Sequence, residues 1–93
     1  MSISDLDMLR EKVLELDKKM MELLSRRLEY AEKIGEVKRR ACMPYQDPEY
    51  FNFSLKQKQE YGQKIGLDAA EIQVFFELLQ DLSINRMKKN VPL

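Results

Sequence analysis

Arg27 breaks an otherwise apolar repeat. Stepping by three and four from Leu6 gives Leu9, Val13, Leu16, Met20, Leu23, Arg27, Tyr30, Ile34, Val37 and Ala41, and every one except Arg27 is apolar or aromatic. Such a stripe is the seam of a heptad repeat. A guanidinium placed in it is costly to desolvate unless it is paired. Three arrangements meet that cost. The cation can face an internal carboxylate, for which Glu77 and Asp81 are candidates; it can snorkel to water; or the seam can open there onto an anionic ligand. Lys38 favours the ligand. It follows Arg27 by eleven residues, about 16 Å along a helix and only about 20° around it. Two long cationic side chains at that spacing can grip opposite ends of a small dianion. Arg10 lies 17 residues before Arg27, about 25 Å away and turned by roughly 100°, so on one straight helix the two cannot share a site. If Arg10 serves such a site, it serves one in a second chain.

The composition removes many alternatives. The 93 residues contain no His, which excludes Ser-His-Asp and Cys-His catalysis, His general bases and His metal ligands. Cys42 is the single cysteine, so an intrachain disulfide and a cysteine-cluster metal site are excluded as well. Sixteen Lys and Arg against sixteen Asp and Glu give zero net charge, which argues against a global basic field for nucleic acid or an anionic membrane. Lys38-Arg39-Arg40 is a short basic run, and at the end of a helix it reads as a solvated face. No apolar run approaches a membrane span and no signal-peptide pattern opens the chain. A reduced, soluble, cytoplasmic protein is expected, built as a single domain over residues 1–93. A chain this short buries only roughly 60–65% of its unfolded surface, so self-association is expected too.

The elements that must position these residues are helical. From a cap at Ser4 or Asp5 to about Ala41 the sequence is rich in Leu, Met, Glu, Lys and Arg, and only Gly35 interrupts it, at about 1 kcal/mol. Roughly 36 residues make a rod of about 54 Å, too long for the core of one small globule, so a partner must cover part of it. Glu15/Lys19, Glu22/Arg26 and Glu29/Lys33 form i,i+4 pairs on the outer, solvated face. Residues 42–46 read as a loop, and Asp47-Pro48 as an N-cap followed by Pro at the first helical position. A second helix runs to about Lys64, with a weak point at Gly62 and a stop at Gly66. Asp68-Ala69-Ala70-Glu71 resembles a capping box opening a third helix, which runs to about Lys89 and ends before Pro92. No segment alternates with period two, and no strand is expected.

With these residues in place the chain resembles the all-helical (AroQ-class) chorismate mutases. The resemblance spans about residues 6–87. It is carried by Leu9-Arg10-Glu11-Lys12-Val13 with Leu16-Asp17, by Leu23-Leu24-Ser25-Arg26-Arg27, and by Ile34-Gly35-Glu36-Val37-Lys38. Pro44-Tyr45-Gln46-Asp47-Pro48, Gly66-Leu67-Asp68 and Ser83 continue it. It implies an all-α fold of three helices per chain, a long first helix and two shorter ones, in an intertwined homodimer with paired long helices. It also implies the Claisen rearrangement of chorismate to prephenate, a pericyclic reaction that needs no metal, cofactor or nucleophile. Residue by residue, the resemblance implies that Arg10 reaches across the dimer to a substrate carboxylate. Arg27 binds a carboxylate in its own chain's site, and Lys38 contacts a carboxylate and the breaking ether oxygen. Asp47 and Ser83 supply further polar contacts.

Three positions depart from the family pattern. Tyr50-Phe51 stand where the family usually has Arg-Glu, which removes a cation and the acceptor for the substrate's ring hydroxyl. Met87 stands where a Gln or Glu usually donates to the ether oxygen, and loss of such a donor commonly costs about 100- to 1000-fold in rate. Glu49 and Gln80 are the nearest polar substitutes in sequence. As plain packing residues, Tyr50 and Phe51 begin an apolar patch with Phe53 and Leu55, and Met87 continues the face of Phe76 and Leu79. Three functions therefore stand: a chorismate mutase, a same-fold enzyme acting on a relative (4-amino-4-deoxychorismate rearrangement or isochorismate pyruvate elimination), and a non-catalytic dimer that binds a metabolite or protein.

Overall fold

A computed structural model of the chain describes residues 3–89. They form three helices in the order α1 (Ile3–Arg40), α2 (Pro48–Lys64) and α3 (Ala69–Lys89), with no strand among the described residues. The expected stop at Pro92 lies outside the described residues. The chain divides into two compact units, and the boundary falls inside α1 between Tyr30 and Ala31. The first unit is the helical arm formed by α1 up to Tyr30. The second unit holds the last ten residues of α1 together with α2 and α3.

Helix ends in the second unit follow from local chemistry. At the end of α1 the N–H of Met43 donates to the Lys38 carbonyl at 2.8 Å, and that of Cys42 donates to the Arg39 carbonyl at 3.1 Å. This is a Schellman pattern, and its left-handed position is taken by Cys42 at φ 55° rather than by glycine. At the end of α2 the same pattern recurs: Leu67 N–H donates to Gly62 at 2.9 Å and Gly66 N–H to Gln63 at 3.3 Å. Here Gly66 occupies the left-handed position at φ 94°, which it adopts without the Cβ penalty. The predicted capping box is present and reciprocal: Glu71 N–H donates to Asp68 Oδ1 at 2.8 Å and Asp68 N–H to Glu71 Oε1 at 3.0 Å.

The core of this unit is small. Leu55 of α2 and Ile72, Leu79, Ile84 and Met87 of α3 are buried, as is Ala31 of α1. α2 and α3 form a helical hairpin. Gln59 Nε2 donates to the Ala69 carbonyl at 3.1 Å, and the Lys58 ammonium stands 4.1 Å from the centre of the Phe76 ring. Gly62, expected to be a weak point, is a packing position: a Cβ there would collide with Ile72 Cδ1. Gly35 has the same role between α1 and α3. A Cβ at position 35 would sit 2.7 Å from Met87 Cγ, 2.9 Å from its Cβ and 3.4 Å from its Cα.

Tyr50 and Phe53 do not join the core. Both are exposed, and their rings meet each other with centroids 6.5 Å apart. From that stretch of α2, Phe51 and Ser54 are half-buried and Leu55 is buried.

Gly35→Ala tests the close approach. Alanine should gain about 1 kcal/mol of helix propensity. Because Met87 Cβ and backbone cannot rotate away, net destabilisation by about 1–3 kcal/mol is expected in urea melts. A neutral or stabilised variant would show that α1 and α3 do not meet there.

Candidate functional site

The arginines of the first unit stand in different surroundings. Arg10 is exposed; Arg27 is half-buried. Burial lowers the Arg27 pKa from its ordinary value, and an arginine still keeps its proton at neutral pH. The seam around them is largely open: Leu9, Val13, Leu16, Met20 and Leu23 are 45–61% exposed. Glu77 and Asp81, weighed as internal partners for Arg27, are both exposed, and Glu77 accepts a hydrogen bond from Gln73 at 2.9 Å.

In the second unit the remaining candidates are drawn into the helix ends. Lys38 is half-buried, and its Nζ donates to the Tyr45 carbonyl at 2.6 Å. Asp47 is exposed and caps α2, its Oδ1 accepting from the Tyr50 N–H at 3.1 Å, with Pro48 at the first helical position as predicted. Ser83 is buried on α3, and its hydroxyl donates to the Leu79 carbonyl at 2.8 Å. Met87, one turn further on, is 5% exposed and lies on Gly35. Gln80 is half-buried and Glu49 exposed.

The family model described as chorismate mutase type II matches residues 9–88. The chain belongs to that family. A search of curated proteins finds no match. The match contains every site candidate from Arg10 to Met87, together with the three departures. Family membership supports a chorismate mutase-like function, and the all-helical fold agrees with the AroQ class.

Against the family pattern, some polar contacts in the structure come from residues that spacing alone did not single out. Arg39 was assigned to a solvated helix end. It is half-buried, and its Nη1 donates to the Tyr45 hydroxyl at 3.1 Å and to the Met87 carbonyl at 3.3 Å. Arg86 pairs with Glu32 at 2.8 Å and joins α3 to α1. Neither pair has a signal at helical spacing, because each partner lies on a different element; a phenol six residues after an arginine is the hint of the first. Among the described residues no group of three His, Cys, Asp or Glu could hold a metal ion, and no helix is long and apolar enough to cross a membrane.

The capping role of Asp47 separates two variants. Asp47→Ala should lower stability by about 1 kcal/mol, whereas Asp47→Asn keeps the acceptor and should stay within about 0.5 kcal/mol of the parent. Equal melting of all three proteins would show that the side chain does not cap α2.

Proposed function

We propose that this chain is a chorismate mutase-type isomerase working as an intertwined homodimer with paired long helices, residues 1–93 acting as one catalytic domain. The family match over residues 9–88, with Arg10, Arg27 and Lys38 kept in register, carries the proposal. The exposed apolar seam of the first unit supports the dimer, because contiguous apolar surface rimmed by charge marks an interaction face. The substrate is a small dianion. One C–O bond breaks and one C–C bond forms in a single pericyclic step, so no proton is transferred and no cofactor is needed. Catalysis then consists of holding a flexible molecule in its reactive fold and stabilising charge on the ether oxygen. Arg27 and Arg10 of the partner subunit hold the carboxylates. Lys38 serves a carboxylate and the ether oxygen. With one hydrogen bond given to Tyr45, the ammonium retains two N–H donors for that work. Asp47 and Ser83 add polar contacts. A cytoplasmic setting suits a chain with one free cysteine.

Met87 favours a second reading. Its thioether cannot donate a hydrogen bond, and it is packed against Gly35. The ether-oxygen donor is thus absent at that position. Tyr50 and Phe51 alter the group that reads the ring substituent. Turnover of 4-amino-4-deoxychorismate or isochorismate, or binding without turnover, fits these changes.

Separate incubations with chorismate, isochorismate and 4-amino-4-deoxychorismate, followed by mass spectrometry, decide between the readings. Prephenate from chorismate is expected. Turnover of another substrate alone would replace the first reading with the second. No turnover, with retained binding of a bicyclic transition-state mimic, would leave a binding protein.

Shared sites make a separate prediction. Arg10→Ala and Arg27→Ala should each be inactive. Subunit-exchanged mixtures should recover about a quarter of parental activity, since half the dimers are mixed and each carries one intact site of two. No recovery in verified mixed dimers would count against Arg10 crossing the interface.

A further inference from the structure

Tyr45 is held at both of its polar ends. Its carbonyl accepts from Lys38 Nζ at 2.6 Å, and its hydroxyl accepts from Arg39 Nη1 at 3.1 Å. The same Arg39 nitrogen donates to the Met87 carbonyl on α3 at 3.3 Å. All three of Lys38, Arg39 and Tyr45 are half-buried. The loop between these anchors turns back on α1 through the Met43 and Cys42 hydrogen bonds to Lys38 and Arg39. It then enters α2 at the Asp47 cap.

A lysine ammonium on a four-carbon stem has many rotamers and points in one direction only when something fixes it. Here the fixing group is a loop carbonyl, which is no steadier than its loop. Arg39 steadies the loop, because its planar guanidinium ties the Tyr45 ring to the α3 backbone. Lys38 and Arg39 are adjacent in sequence, so they leave α1 in different directions and grip Tyr45 from two sides.

We infer that Arg39 and Tyr45 are positioning residues: they form a bracket between the end of α1, the loop and α3 that aims the Lys38 ammonium. The inference rests on the proposed role of Lys38 in substrate binding. Met87 enters it through its backbone carbonyl, which any residue at that position would supply.

Tyr45→Phe removes the hydroxyl and keeps the carbonyl that Lys38 uses. Arg39→Gln removes the charged guanidinium, and Arg39→Lys keeps the charge on a shorter side chain without the planar group. In the 93-residue chain, side-chain NMR of Lys38 reports its order whether or not any substrate turns over. An ordered, slowly exchanging ammonium is expected in the parent, with a shift toward free-lysine behaviour in Tyr45→Phe and Arg39→Gln and no rescue in Arg39→Lys. Unchanged Lys38 signals in Tyr45→Phe and Arg39→Gln, with melting temperatures also unchanged, would overturn the inference. Where chorismate is turned over, kcat should fall by about 10- to 100-fold in Arg39→Gln with a smaller change in KM. In a Lys38→Ala background Arg39→Gln should cost nothing further. A full additional loss there would make Arg39 merely structural. A parent with an ordered Lys38 and no activity on any of the three substrates would sink the proposed reaction and leave the bracket standing.

Discussion

With no side chain at position 35, Met87 lies directly on the backbone of α1, and this close approach sets the separation of α1 and α3 at that level. Much of the polar structure nearby depends on that separation. Arg39 Nη1 reaches from α1 to the Met87 carbonyl, and the Glu32–Arg86 pair closes at 2.8 Å. Larger side chains at 35 would move Met87 outward and lengthen both. A residue that costs about 1 kcal/mol in an isolated helix is here a requirement of packing.

Three of the candidate site residues are also used by the fold itself. Lys38 carries a charge suited to an anion, and it also anchors a loop. Asp47 begins α2 as its cap, and the Ser83 hydroxyl donates a hydrogen bond to the Leu79 carbonyl of its own helix. A side chain already hydrogen-bonded to the fold has fewer orientations open to it.

The open seam is the other half of the physical picture. Leu, Val and Met side chains along the first unit stay substantially exposed in a single chain, while Arg27 among them is half-buried and its pKa lowered. Burial of apolar surface of this kind is favourable by roughly 25 cal/mol per Å².

The helices and the caps of α2 and α3 were legible in the sequence because each rests on local rules, whereas the cap expected at Ser4 or Asp5 falls inside α1, which already includes Ile3. Pro48 after Asp47, the Asp68–Glu71 box and Gly66 beyond α2 act over four residues or fewer, and the structure places them as expected. The seam with its lone arginine was legible for the same reason, since a 3.6-residue period needs no knowledge of other elements. Gly35 and Gly62 looked like defects because the sequence does not show what approaches them. Arg39 looked like a solvated helix end because its partners are a phenol across a loop and a carbonyl on α3. Tyr50 and Phe53 looked like core because apolar character says nothing about which side of a helix faces its neighbours. Sequence by itself determined the helices and the charges they carry; only the tertiary structure decided which groups meet, since that depends on the distance between elements far apart in the chain.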